Sequence, residues 1–340
     1  LDDIFSLDIY PVALPPYLKN VIAKENEANV LAQLQELIKR KVFFMHVELD
    51  HEGTTFKGHI KDIDETLQDE KAVKMQLLGL HFSGNIKEEK IVKFEQTFKR
   101  AHLYISGEVD ETISGLQSSY AITGPTTYDY TSEYTIDQIK SAEDPDNTLL
   151  AENLNVHSTS KAHNGLARET LKANIKNADI LFEKEKIGFK TLVLDMNISN
   201  IDVAGLDRLQ NIDRKQEKEV DSLIETFVAK NMHLTISNLS AQDVVLRGKE
   251  LGGFNLNADL DIDQSLDIYR FNIQPKHAAK KMNGDIHLSV SKEILTMLKE
   301  DPEFMILYMM YRPKRELGQR IYDIKIGDGE IKINGKEVDF

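Results

Sequence analysis

The chain has 340 residues, 41% of them hydrophobic and 29% charged, a balance that allows a sizeable core and excludes a disordered chain. Its 56 acidic residues against 42 basic ones give a net charge of −14, which argues against nucleic acid or anionic lipid headgroups as general partners, since both need a basic face. Cysteine is absent, so disulfides, thiolate metal sites and cysteine nucleophiles are excluded, and no apolar run reaches the ~18–20 residues that span a bilayer.

Residues 1–16 read as an extended arm, because Pro11, Pro15 and Pro16 remove backbone donors and disfavour helix. A helix is predicted over 17–41, with Val21, Ile22, Val30, Leu31, Leu34, Leu37 and Ile38 at three-to-four spacing. Residues 1–41 therefore form an N-terminal arm and helix, and 42–145 a first antiparallel sheet region. Its strands are expected at 43–49, 54–60, 75–86, 101–109, 119–123 and 128–136, with a turn at His51-Glu52-Gly53. The turn cluster Asp144-Pro145-Asp146-Asn147 marks the step into 146–340, a second sheet region with two helices, continuous with the first.

In that region strands are expected at 150–158, 173–183 and 189–198. A helix follows from about 203 or 206 to 230, with Asp202 as N-cap, Asn231 as stop, and Leu209, Ile212, Val220, Leu223, Ile224, Phe227 and Val228 as its apolar stripe. Further strands are expected at 233–239, 243–247, 252–262 and 266–273. The last sixty residues are the best patterned. Ile286, Leu288 and Val290 alternate with Asp285, His287 and Ser289, a helix signal begins at Ser291, and Ile324, Ile326, Ile331 and Ile333 frame a hairpin around Gly327-Asp328-Gly329. A strand, polar step, long helix and strand recur at 192–234 and 286–324, the outline of a duplicated unit.

Few residues point to chemistry. His46, His59 and His81 lie within strand patterns, but spacings of thirteen and twenty-two residues favour wet-face histidines over metal ligands. Asp259, Asp261 and Asp263 fall on one strand face and read as solvated, and Asp144, Asp146 and Asn147 read as a turn and not a cation loop. The nucleophile-elbow, phosphate-loop, His-Glu-x-x-His and dinucleotide glycine motifs are all missing. The most unusual stretch is Phe304 to Tyr311, a helix opened by Asp301 and Pro302 and apolar all round. It must be buried in the core, in a partner or at a membrane, and core packing is the favoured reading. Its Phe304, Ile306, Leu307, Tyr308, Met309 and Tyr311 are the candidate ligand- or partner-binding residues. No catalytic residue, metal or cofactor is expected.

The strand leading into Ser291-Lys-Glu-Ile-Leu, the Asp301-Pro302 step, and the closing Tyr322, Asp328-Gly329 and Asn334-Gly335-Lys336 resemble the C-terminal signature of the YdgA-like family of bacterial cell-envelope proteins, a domain of unknown function. Leu192, Met196 and Ile201-Asp-Val-Ala-Gly-Leu206 resemble that family's strand-to-helix step. A weaker similarity of pattern is to the surface lipoprotein adhesin JlpA, whose sheet is an open half-barrel. The resemblance implies an exported protein of the periplasm or outer surface, whose membrane contact runs only through an N-terminal anchor preceding Leu1.

These readings combine into an α+β chain, mainly β: a long curved antiparallel sheet or open half-barrel with about three helices packed on it. The expected function is non-enzymatic, binding or scaffolding another protein or a cell-surface component. The alternative is a carrier or sensor of a lipid or other apolar ligand in the concave face of the sheet.

Overall fold

The computed structural model describes residues 5–14, 28–68, 72–144, 146–210, 231–266, 276 and 279–338. As the period-2 patterns predict, the chain is mostly β: the described residues hold 21 strands in one open antiparallel sheet and four helices. It divides into two compact units: Leu1–Ala121, Ser132–Asn155 and Asn177–Glu185 in the first, and Ile122–Thr131, Val156–Lys176 and Lys186–Phe340 in the second.

In the first unit the arm is itself a strand. β1 (Phe5–Ile9) pairs antiparallel with β2 (Met45–Leu49), Phe5 opposite Leu49 and Ile9 opposite Met45. The described part of the first helix is α1 (Ala28–Lys39), and the expected turns from Tyr17 to residue 27 lie outside the described residues. Its end is a Schellman turn: Val42 N–H reaches Leu37 O (3.0 Å), Lys41 N–H reaches Ile38 O (2.9 Å), and Lys41 takes the left-handed conformation. Leu37 packs with Val42, Ile63 and Leu67 in a small core that Leu34, Val73, Met75 and Leu77 extend.

Two of the core residues sit on β4 (Ile63–Leu67), a strand that the sequence reading misses. Ile63, Glu65 and Leu67 share its inner face, so a charge breaks the apolar alternation, and Arg40 of the helix end meets that charge at 2.9 Å. The expected single strand 75–86 is two, β5 (Val73–Leu78) and β6 (Leu80–Lys87). Gly79 separates them at positive φ, with its N–H held by Asp62 Oδ1 at 2.7 Å. Both pair with the sixteen-residue β7 (Lys90–Ile105), which then pairs with β8 (Val109–Ile122), and the long strands β9 (Tyr130–Asp144), β10 (Asn147–His163) and β11 (Leu166–Phe182) follow along the chain. The expected strand 101–109 therefore crosses a turn.

β3 (Thr55–Ile60) lies between β2 and β6. Across these strands alternation sorts the side chains: Val47, Phe56, Phe82 and Phe94 fall on one face, His46, Lys57, His59 and His81 on the other. The β2–β3 turn forms as expected. Asp50 accepts from the Thr54 amide (2.6 Å) and from the Thr54 hydroxyl (2.7 Å), and these donors hold its carboxyl at about 2.

The second unit is a serial antiparallel ladder in which β12 (Glu185–Asp202), β13 (Met232–Ala241), β16 (Phe254–Ile262), β17 (Met282–Val290) and β19 (Gln319–Gly327) pair in turn. The short β14 (Asp243–Leu246) and β15 (Lys249–Glu250) form a side hairpin on β12. Beyond β12, α2 (Val203–Gln210) starts the second helix where expected, and its continuation to residue 230 lies outside the described residues, as does 267–273 of the expected strand 266–273. β19 turns through Asp328 and Gly329, both at positive φ, into β20 (Glu330–Ile333). That strand turns again through Asn334 and Gly335 into β21 (Lys336–Glu337). Between β17 and β19 the chain forms α3 (Lys292–Leu298), α4 (Pro302–Met310) and β18 (Lys314–Glu316). Both halves of the suggested repeat thus connect strands that are antiparallel neighbours.

Candidate functional site

α4 carries the candidate residues, and its two ends are pinned. At the front, Ser291 caps α3: its Oγ accepts from Ile294 N–H (3.1 Å) and donates to Leu251 O. Asp301 then opens α4 as expected, its Oδ1 accepting from Phe304 N–H at 3.0 Å, while Pro302 occupies the first turn where no N–H is needed. At the back, Lys336 Nζ donates to Met310 O (3.1 Å), Asn334 Nδ2 donates to Arg312 O (2.9 Å), and the Tyr311 hydroxyl donates to Glu337 O (3.4 Å). The turn between β20 and β21 therefore holds the C-terminal end.

Between these pins the helix has two apolar faces of different kinds. Phe304, Tyr308 and Tyr311 are spaced i, i+4, i+7 and turn inward: Tyr311 is 4% exposed, the other two half-buried. Met305, Ile306, Met309 and Met310 cover the opposite arc, with Leu307 at its edge. Ile306 is 59% exposed, Leu307 51% and Met309 65%. This corrects the favoured reading of the segment as core. The aromatic stripe is sufficient to seat the helix, so the aliphatic stripe is left to solvent. Of the six candidates, Ile306, Leu307 and Met309 reach the surface, whereas Tyr311 is a packing residue. Met305 and Met310 join the surface although the sequence reading omitted them.

Cations surround this helix. Lys299 Nζ lies 3.5 Å from the Tyr308 ring centroid. Its hydrogen bond, against the opposing effect of burial, and then its charge and those of Arg312 and Arg315 bring the Tyr308 hydroxyl below its ordinary value. Next along the chain, β18 and β19 form a hairpin whose tip is Leu317-Gly318. Leu317 is fully exposed and at φ +46°, a conformation that costs a branched apolar side chain. Arg315 and Arg320 face each other directly across the hairpin, and Arg320 spends its donors on Gly318 O (3.3 Å) and Gln319 O (3.1 Å). Lys314, by contrast, pairs with Asp323 at 2.5 Å. Nothing in the hydrophobic pattern signals this hairpin. The Leu-Gly pair between charged residues is its one sequence mark.

No family model, curated protein or solved structure matches the chain.

The three strand histidines come together in a way their spacing hides. His46 lies opposite His59 and His59 opposite His81, with ring centroids 5.4 and 6.0 Å apart, in a row across β2, β3 and β6. They line an open cavity of about 460 Å³ with Glu48, Lys57 and Glu95. Asp8 of β1 binds His46 Nδ1 at 2.8 Å and, with Glu48, raises the imidazole above its ordinary value against the effect of burial. No three His, Cys, Asp or Glu side chains among the described residues are placed to hold a metal ion. In the second unit His233 pairs with Asp261, and His287 with Asp323, each at 2.8 Å. Asp259 and Asp261 keep the solvated strand face expected of them. Asp144 accepts from Asp146 N–H (2.7 Å) and Asn147 Nδ2 (2.8 Å), the expected turn.

Proposed function

We propose that this chain is a non-enzymatic component of a bacterial cell envelope, in the periplasm or at the outer surface, that holds another protein or a surface component through the outward face of α4. The observation that carries the reading is a helix fixed at both ends with five contiguous aliphatic side chains left in water. Such a face is costly unless something covers it, and methionines at three of its positions let it adapt to a partner. Glu48, Asp50, Glu95, Asp110, Asp129, Asp144, Asp263 and Asp323 are all lowered by donors and cations around them, so none of these eight is a general acid kept protonated. The resemblance of the tail to the YdgA-like family supports the envelope. A photocrosslinker at Ile306, activated in intact bacteria, is expected to give adducts with envelope components. Adducts confined to cytosolic proteins would refute the reading.

One further observation favours the carrier alternative. Phe56, Phe82 and Phe94 form a half-buried aromatic cluster, with centroids 6.3–6.5 Å apart, on the apolar face of the first unit's sheet. A curved sheet would fold this face into the groove an acyl chain needs. Native mass spectrometry of protein from bacterial lysate is expected to show a bound apolar mass if so, and a clean apo mass removes the alternative.

A further inference from the structure

We infer that the outward face of α4, together with the β18–β19 hairpin, docks on the surface of an anionic lipid bilayer. This rests on reading that face as the docking site, and it names what the site docks on. Nine residues make about 14 Å of helix, less than half of a hydrocarbon core about 30 Å thick. No described helix is long and apolar enough to cross a membrane. A helix of this length can instead lie in the interface, with Met305, Ile306, Met309 and Met310 among the upper acyl carbons.

The hairpin favours a bilayer over a protein partner. Three of its local features are unfavourable within the chain itself. Leu317 is a fully exposed leucine at positive φ. Arg315 stands directly opposite Arg320, like charge against like charge. Among the described residues, no carboxylate forms an ion pair with Arg312, Arg315 or Arg320, although Asp323 is taken by Lys314 close by. Against phosphate headgroups each feature turns favourable. Leu317 enters the apolar layer, and guanidinium forks bind phosphate oxygens in pairs.

Charge placement agrees. Arg312 and Arg315, both exposed, follow the last residue of α4 within five residues, which places two cations at the C-terminal end of the helix. Glu300 and Asp301 sit at the other end of α4, and Glu316 of β18 falls on the strand face opposite to Arg315 and Arg320, beside Lys314, so the C-terminal end and the arginine face of the hairpin are the parts that meet the headgroups. With −14 on the chain as a whole, long-range attraction cannot bring it to an anionic surface. Binding must depend on this local contact and weaken with added salt. Membrane contact of this kind is separate from any anchor.

Flotation of the full chain with phosphatidylcholine vesicles, with and without phosphatidylglycerol, tests the inference. Wild type is expected to float with the mixed vesicles and at least tenfold less with phosphatidylcholine alone. Ile306→Asp with Met309→Asp should cut flotation at least tenfold on both. Arg312→Glu with Arg315→Glu should cut it only where phosphatidylglycerol is present. All four side chains point outward, so an unchanged circular dichroism spectrum confirms that each variant folds. Failure of wild type to float, or flotation indifferent to both variants, overturns the inference. If wild type does not float while the Ile306 crosslinker captures an envelope protein, the bilayer falls and the docking reading stands. If neither occurs, both fall. A dimer that Ile306→Asp with Met309→Asp abolishes, in a chain that does not float, assigns the face to a second copy instead.

Discussion

Gly58 and Gly84 are two positions where the first unit's sheet tolerates no side chain. A Cβ on Gly58 would lie 2.4 Å from His46 O and 2.5 Å from the Phe82 ring. On Gly84 it would lie 2.3 Å from Lys93 O and 2.5 Å from the Phe56 ring. Each phenyl ring rests on the backbone of a glycine in the neighbouring strand, and neither the carbonyl nor the packed ring can yield cheaply. Gly58→Ala and Gly84→Ala should each destabilise by about 1–3 kcal/mol, as overpacking does, lowering the melting temperature. An unchanged melt would mean the rings are free to move. His46 makes a second residue-scale test. Asp8 and Glu48 raise its pKa above the ordinary value near 6.5, and His59 is the other titratable group beside it. A raised folded value contributes stability that is fully present below the unfolded pKa and is lost as pH rises through the folded one. The β1–β2 pairing should therefore loosen as pH climbs through that range, read as smaller amide protection factors in β1 once the intrinsic rise of exchange with pH is divided out, and Asp8→Asn should lower the His46 NMR titration midpoint. A midpoint that ignores the change would remove Asp8 as the cause. How much of the row was legible depends on the connection. The turn at His51-Glu52-Gly53 was visible, and a hairpin of that length sets His46 opposite His59. His81 lies beyond β4 and β5, which leave the β3–β6 path, so no local turn could register it.

At the scale of the element, α4 shows what hydrophobicity alone leaves open. Its start was readable from Asp301 and Pro302. Which side turns inward was not, because every position from Phe304 to Tyr311 is apolar and that stretch has no polar face to orient it. The anchoring comes from elsewhere in the chain: Lys336 and Asn334 hold the C-terminal end, contacts twenty-odd residues distant in sequence. The two faces can be separated by substitution. Tyr311→Ala removes a buried ring and should cost about 3–5 kcal/mol, whereas Ile306→Asp and Met309→Asp, on the exposed side, should each stay within about 0.5 kcal/mol of wild type. Thermal melts compare them directly, and a large loss from either aspartate would place the aliphatic arc in the core after all. Ser291 is a different kind of element-scale residue, because one hydroxyl both caps α3 and donates to Leu251 O. Ser291→Ala should cost about 1–2 kcal/mol, the value of a lost cap with a buried acceptor left unpaired.

For the whole molecule, alternation was enough to predict an open antiparallel sheet, since antiparallel strands with one wet face carry the period-2 mark in every segment. Strand length and branching were not readable. β7 and β12 run sixteen and eighteen residues, but polar residues on both faces interrupt the pattern, so only their most apolar stretches stood out. The side hairpins β4–β5 and β14–β15 depend on which neighbour accepts them, which no local pattern states. The same distribution of polar residues governs the response to acid. Eight carboxylates spread over the sheet, Glu48, Asp50, Glu95, Asp110, Asp129, Asp144, Asp263 and Asp323, are all lowered, Asp50 to about 2. A folded value below the unfolded one contributes stability that is present above the unfolded pKa, near 4 for these groups, and is lost as pH falls through the folded value. Mild acidification from neutral first relieves the self-repulsion of a chain at −14, and only below the ordinary carboxylate range do the paired acids begin to lose their partners. The melting temperature should therefore hold or rise between pH 7 and about 5, then fall steeply from about 4 towards 2. Added salt should raise it at neutral pH more than at pH 5, because there is more repulsion to screen. A chain that was most stable at pH 3 would mean that these carboxylates gain nothing from the donors and cations placed around them.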